Sequence, residues 1–147
     1  LSLLESEKEE IAKITGATQS LYSMKQSPIF LLPSNWIWTY LGNLSENIHY
    51  GVTAKAIKRK DGARFLRITD IQNDRVDWAS VPSCDIEKKQ LNSSQLHNGD
   101  VLIARTGGTI GKTYLVENLS KQAVFASYLI RFIPLKNTNP KYIKLPD

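Results

Sequence analysis

A single cysteine, Cys84, stands in 147 residues. It excludes an internal disulfide and a cysteine-rich zinc centre, and it is the usage of a chain kept in a reducing compartment. No apolar run approaches the roughly 20 residues that a membrane span needs. The first ten residues are acidic, where a secretory leader would be basic and then apolar. These absences argue against membrane insertion and secretion, and the expectation is a cytoplasmic chain. The two histidines, His49 and His97, are far apart and lack neighbouring ligand types, so they read as ordinary polar residues rather than a metal pair. No internal repeat and no low-complexity tract interrupts the chain.

What is present is an ordinary single-domain composition: 41% hydrophobic, 22% charged, with three Trp and six Tyr. The net charge of +5 is unevenly placed. Residues 1 to 50 carry −2, residues 51 to 67 carry +5, residues 68 to 100 carry −3 and residues 101 to 147 carry +5. Two basic segments flanking an acidic one suit either a face that attracts a polyanion or a plain solvated surface.

Leu1, Leu4, Ile11 and Ile14 share one narrow stripe and predict a helix over residues 1 to 15, of the kind that packs along another helix. Gly16 ends it. Residues 16 to 35, rich in Ser, Thr and Gln and closed by Pro28 and Pro33, read as a linker. The domain itself is expected from about Leu32 to Asp147. Leu1 is no initiator residue, so the chain is expected to be a piece of something longer.

Beyond Leu32 the pattern is one of short strands. They are expected at Trp36 to Leu41, Arg64 to Thr69, Val101 to Arg105 (after the turn Asn98-Gly99-Asp100), Lys112 to Val116 and Tyr128 to Ile133. Brief helical turns are expected near Leu44 and over Ile86 to Leu91. The fold class is therefore α+β, strand-rich, with short helices.

Arg105-Thr106-Gly107-Gly108-Thr109-Ile110-Gly111-Lys112-Thr113 looks superficially like a phosphate-binding loop. That loop needs four residues between its outer glycines, and a helix after its lysine. Here Gly107 and Gly111 are separated by three, and Thr-Tyr-Leu-Val after Lys112 favours a strand. A nucleotide triphosphate site is strongly disfavoured; the same turn can offer amides, hydroxyls and cations to a DNA backbone. Asn139-Pro140-Lys141-Tyr142 resembles the Asn/Asp-Pro-Pro-aromatic turn of amino-group DNA methyltransferases, but Lys141 replaces the second proline and no cofactor glycine motif precedes it. It reads as a turn opening a helix. Cys84 has no nearby base and reads as a structural or exposed thiol rather than a nucleophile. No catalytic constellation emerges.

Between Ile48 and Ile71 a glycine turn, Tyr50-Gly51-Val52-Thr53, leads into Lys55, Lys58, Arg59 and Lys60 around Asp61-Gly62, then a strand carrying Arg64 and Arg67 into Thr69-Asp70. Lysines in such a loop suit phosphates, Arg67 or Arg105 suits a guanine edge, and Asp70 can accept from cytosine. The alternative is that Arg67 pairs with Asp70 or Asp74 across a turn.

With these pieces in order, the chain resembles the target recognition domain of type I restriction-modification specificity subunits. The resembling blocks are Leu32-Pro33-Ser34-Asn35-Trp36-Ile37-Trp38-Thr39-Tyr40-Leu41-Gly42; Tyr50-Gly51-Val52-Thr53; Arg64-Phe65-Leu66-Arg67-Ile68-Thr69-Asp70-Ile71; Asn98 through Lys112; and Ala123-Val124-Phe125-Ala126-Ser127-Tyr128-Leu129-Ile130-Arg131. Five such blocks in the family's order span about Leu32 to Tyr142. The resemblance implies a DNA-reading module without chemistry of its own, one of two that each read half of a split double-stranded target. Residues 1 to 31 would be the end of a conserved spacer helix and a linker. The partners implied are methyltransferase subunits, which hold S-adenosylmethionine, and restriction subunits, which supply ATP- and Mg2+-dependent translocation and cleavage; no cofactor is expected on this chain. A fused methyltransferase-endonuclease with this chain as its recognition end is the alternative. The expected DNA-binding residues are Tyr50, Thr53, Lys55, Lys58, Arg59, Lys60, Arg67, Thr69, Asp70, Arg105, Thr109 and Lys112, with the Gly107, Gly108, Gly111 and Phe125-Ala126-Ser127 positions assigned to the shared fold.

Overall fold

In β3, Ala63–Leu66, every side chain is buried, and a strand whose successive side chains point to opposite faces can be so only if both faces are covered. Leu66 joins one apolar cluster and Phe65 another, which identifies β3 as an interior strand. The computed structural model describes residues 31–59 and 61–144. The helix expected over residues 1 to 15, most of the linker after it and Lys60 lie outside the described residues.

In chain order, a 3-10 turn at Leu41–Leu44 leads into β1 (Ser45–Tyr50), β2 (Ala56–Ile57) and β3. A second 3-10 turn, Ile68–Asp70, precedes β4 (Ile71–Gln72) and β5 (Arg75–Val76). Then come β6 (Ser83–Cys84), helix α1 (Lys88–Ser94), β7 (Val101–Ala104), β8 (Thr113–Leu115), β9 (Ala123–Phe125), β10 (Leu129–Pro134) and helix α2 (Pro140–Ile143). One sheet runs β1-β10-β7-β8, all antiparallel; a second runs β2-β6-β3-β9, with β3 and β9 parallel. The β4–β5 pair is a tight hairpin whose two central residues, Asn73 and Asp74, both have positive φ, 49° and 61°, as a type I′ turn requires.

The main core lies between the two sheets. Leu102, Ala104, Tyr114 and Leu129 from the first meet Leu66, Ala123 and Phe125 from the second, with Trp78 and Leu96 closing the layer. Fully buried side chains such as Phe125 and Leu66 each contribute roughly 1.5–3 kcal/mol over the exposed state. The outer face of the second sheet is covered around Val52, Phe65 and Val124, and that of the first around Val101, Leu115, Phe132 and Ile143.

The α+β class, the strands at β7, β8 and β10 and the two brief helical turns are as the sequence predicts. Trp36 to Leu41 is not a strand: Trp36 and Tyr40 are exposed, and pairing with β10 begins only at Ser45. Aromatic content alone supplies no hydrogen-bonding neighbour. The strand expected over Arg64 to Thr69 stops at Leu66, because the Asp70 carboxylate takes the Arg67 amide at 2.9 Å and turns the chain. Strands β1, β2, β6 and β9 carry too few residues or too little alternation to be visible beforehand. Asn139 opens α2, its side-chain oxygen accepting from the Lys141 amide at 3.0 Å.

Two buried groups prove structural. Arg131 forms an ion pair with Asp100 at 2.7 Å with both side chains nearly fully buried. The same carboxylate accepts from the His97 amide, and Arg131 Nη2 lies 3.0 Å from the His97 Nδ1. The Cys84 thiol is buried, and burial, then the neighbouring Asp85, pushes its pKa upward, away from nucleophile behaviour. Among the described residues no helix is long and apolar enough to cross a membrane, and no cluster of three or more His, Cys, Asp or Glu side chains is placed to hold a metal.

Candidate nucleic-acid interface

After β1 the chain passes so close to the segment following β9 that only glycine fits. A Cβ on Gly51 would lie 2.1 Å from the Phe125 carbonyl oxygen. The Val52 amide donates to that oxygen at 2.8 Å and the Ser127 amide donates back to the Val52 carbonyl at 2.9 Å. This crossing sets Tyr50 and Thr53 beside Ser127. Thr53 Oγ1 donates to Ser127 Oγ at 3.3 Å, and the Arg105 Nε donates to the Ser127 carbonyl at 3.1 Å. The Arg105 guanidinium then lies over the exposed Tyr50 ring, 4.7 Å from its centroid. Tyr50, Thr53, Arg105 and Ser127 thus form one polar, cationic surface built from three distant segments.

Arg67 and Asp70 form a two-pronged pair, Nη2 to Oδ1 at 2.7 Å and Nε to Oδ2 at 3.0 Å. The bond to Asp70 raises the Arg67 pKa, against a smaller opposing effect of burial. The pairing alternative is therefore the one realised. Nε–H and one Nη2–H of Arg67 are spent on Asp70, which leaves both Nη1 hydrogens and the second Nη2 hydrogen directed away from the carboxylate. Tyr128 packs behind this pair; burial raises its pKa, with Arg67 acting in the opposite sense.

The β7–β8 connection, residues 105–112, is a closed turn and not a phosphate-binding loop. The Ala104 amide donates to the Lys112 carbonyl and the Gly111 amide to the Ala104 carbonyl, both at 2.9 Å, and Lys112 runs into β8 rather than a helix. Gly107 and Gly111, at φ 82° and 85°, supply its left-handed corners. Between this turn and the 68–72 segment lies a cleft of about 230 Å³ in which Thr69, Thr109 and Lys112 meet Ile68, Ile71 and Tyr114.

The basic loop is only partly available. Lys55 and Lys58 are exposed, whereas Arg59 is held by Asp85 at 2.5 Å and Asp61 at 3.4 Å, bonds that raise its pKa. Lys58, Arg59 and Arg67 share a second hollow, of about 410 Å³, with Arg64. The structure thus gathers Tyr50, Thr53 and Arg105 at one point, Thr69, Thr109 and Lys112 at a second, and Lys58, Arg59 and Arg67 at a third. Lys55 joins none of these groupings, and Lys60 lies outside the described residues. Ser127 and Arg64 are the members missed among the expected binding residues. Ser127 sits in a block assigned to the fold, and Arg64 in a strand whose flanking residues are all apolar.

The cationic, hydroxyl-bearing groupings thus stand on a strand-rich α+β domain. No family model matches the chain. Its sequence is 27% identical over 126 residues to the putative type I restriction enzyme MjaX specificity subunit of Methanocaldococcus jannaschii, covering 84% of this chain and 30% of that protein. It is 27% identical over 99 residues to the type I restriction enzyme EcoKI specificity subunit of Escherichia coli strain K12, covering 65% of this chain and 21% of that one. The fold matches the HsdS subunit from Thermoanaerobacter tengcongensis with a TM-score of 0.61 at 16% identity, over 95% of this chain and 31% of that one. A structure of a type I R-M system matches with a TM-score of 0.60 at 18% identity, over 95% of this chain and 33% of its counterpart. The chain spans about a third or less of each of these proteins. It is similar in sequence to type I restriction enzyme specificity subunits and shares its fold with about a third of the HsdS subunit.

Proposed function

We propose that this chain is a sequence-specific reader of double-stranded DNA that recognises one half of a bipartite target within a type I specificity subunit. The observation that carries this reading is the convergence of Tyr50, Thr53, Arg105 and Ser127 from three distant segments onto one exposed surface. Stacking on Tyr50 and the bond to Ser127 hold the Arg105 guanidinium in one orientation, which lowers the entropy lost when a planar fork meets a guanine edge. Thr53, Thr69 and Thr109 supply short hydroxyls suited to bases or phosphates, and Lys55, Lys58 and Lys112 supply phosphate charge. The chain contributes recognition and no bond-making step. Methyl transfer with S-adenosylmethionine, and cleavage with ATP and Mg2+, fall to methyltransferase and restriction subunits docked on the complete protein, in the cytoplasm. The relatives are specificity subunits, which favours this assignment over a fused methyltransferase-endonuclease.

The test is to combine the complete subunit with its methyltransferase partner and map the methylated bases in exposed DNA. A split target whose one half changes when this domain is exchanged is the expected result. Methylation that ignores the exchange would overturn the reading.

A further inference from the structure

The protein buries two arginines and treats them differently. Arg131, 4% exposed, has the Asp100 carboxylate at 2.7 Å. Arg64, 5% exposed, has no carboxylate within ion-pair distance among the described residues. Its Nη1 donates only to neutral acceptors: the carbonyls of Val81 at 3.1 Å and Arg59 at 3.2 Å, and Ser83 Oγ at 3.3 Å. Its Nε has no partner. Taking a guanidinium out of water without a counter-charge is costly, and buried charges are ordinarily paired. The compensating charge is therefore to be sought in what Arg64 faces.

Arg64 lines the hollow of about 410 Å³ whose other charged walls are Lys58, Arg59 and Arg67; among the described residues no Asp or Glu lines it. Arg59 and Arg67 arrive with carboxylates of their own, Asp85 with Asp61 and Asp70 respectively. Lys58 and Arg64 bring none. The hollow is thus short of negative charge by about the charge of one phosphate group. It also adjoins the recognition face, because Arg67 lines it while the next residues, Ile68 and Thr69, line the cleft beside Thr109 and Lys112.

We infer that this hollow seats one phosphate of the DNA backbone, with Lys58 as the mobile contact and the buried Arg64 as a fixed source of positive potential. This rests on the DNA-reading assignment above and adds the element that fixes the duplex in register beside the base-reading surface. Because a phosphate contact is independent of sequence, any duplex reports it.

The test uses the full 147-residue chain and a labelled duplex of arbitrary sequence, with affinity followed from about 50 to 200 mM salt. Lys58→Ala removes the exposed cation, and Ala79→Glu places a carboxylate at the exposed rim of the hollow. Each is expected to reduce the slope of log affinity against log salt by about one and to weaken binding about 3- to 10-fold, with thermal unfolding unchanged. Lys136→Ala, an equal loss of charge at an exposed position away from the hollow, is expected to leave the slope as it is. Inorganic phosphate at constant ionic strength is expected to shift the amide resonances of Lys58, Arg64 and Arg67, and Ala79→Glu to suppress those shifts. Unchanged slopes in both hollow variants, with the duplex still bound, overturn the seat and leave DNA reading standing. An equal fall in Lys136→Ala also overturns it, by reducing the effect to net charge. Phosphate shifts accompanied by unchanged duplex slopes assign the hollow to a free phosphate group and overturn the backbone assignment. Loss of all salt-sensitive duplex binding in the unaltered chain overturns the DNA-reading assignment itself.

Discussion

The guanidinium of Arg105 lies 4.7 Å from the centroid of the Tyr50 ring, although 55 positions separate the two in the chain. Both side chains are exposed, so the contact contributes little to folding and much to the direction in which the guanidinium points.

Tyr50→Leu removes the ring face while keeping a comparable apolar body. The expected outcome is DNA binding weakened about 2- to 5-fold, corresponding to about 0.5–1 kcal/mol for an exposed cation–π contact, with the melting temperature unchanged. Fluorescence anisotropy with the cognate duplex and thermal unfolding of the same samples check it.

Gly51→Ala is a stability test. The added methyl would sit 2.1 Å from the Phe125 carbonyl oxygen, closer than any real contact, so the β1 exit must separate from the β9 segment. A loss of about 1–3 kcal/mol in urea unfolding is expected. Because this crossing sets Tyr50 and Thr53 beside Ser127, DNA affinity falls with it.

Asp70→Asn separates a structural carboxylate from a base reader. If Asp70 serves Arg67, the substitution lowers affinity for every target sequence by a similar factor. A double-mutant cycle with Arg67→Gln then returns a coupling of about 1 kcal/mol or less, as befits a pair whose arginine is one-third exposed. A change of preference confined to one base pair, seen by selection from a randomised duplex, would assign Asp70 the reader role.

Alkaline pH tests the main core. Burial pushes the Tyr114 hydroxyl from its ordinary value of 10 up to about 12. The folded state therefore holds this proton more tightly than the unfolded chain. Stability is at its full value below pH 10 and falls as pH rises from 10 through 12, by about 2 to 3 kcal/mol from this group. Phenolate absorbance followed with pH should show this tyrosine ionising last, and denaturant midpoints should decline over the same window.

Much of the scaffold was legible because its signals are local. The turn at Asn98-Gly99-Asp100, the apolar run of β7, the pattern of β8 and β10 and the Asn139-Pro140 start of α2 each depend on residues a few positions apart. The hidden strands are those whose existence depends on a distant partner. β6 is two residues long and becomes a strand only by lying between β2 and β3. β9 exists through its parallel pairing with β3, 59 positions earlier.

The candidate face divides along the same line. The sequence by itself determined which residue types are available and where charge is concentrated: two basic segments, a glycine-rich turn without the spacing for a nucleotide, and no cysteine or histidine cluster to support metal chemistry. Only the tertiary structure decided how each cation is partnered. Arg59 is taken by Asp85, Arg67 by Asp70 and Arg131 by Asp100, while Arg64 is buried with no carboxylate and Arg105 is propped on Tyr50. The physical reason is range. A turn or a strand is set by neighbours along the chain, but a hydrogen-bonded ion pair acts over about 3 Å, and which carboxylate comes that close is decided by how the strands are ordered in the sheets.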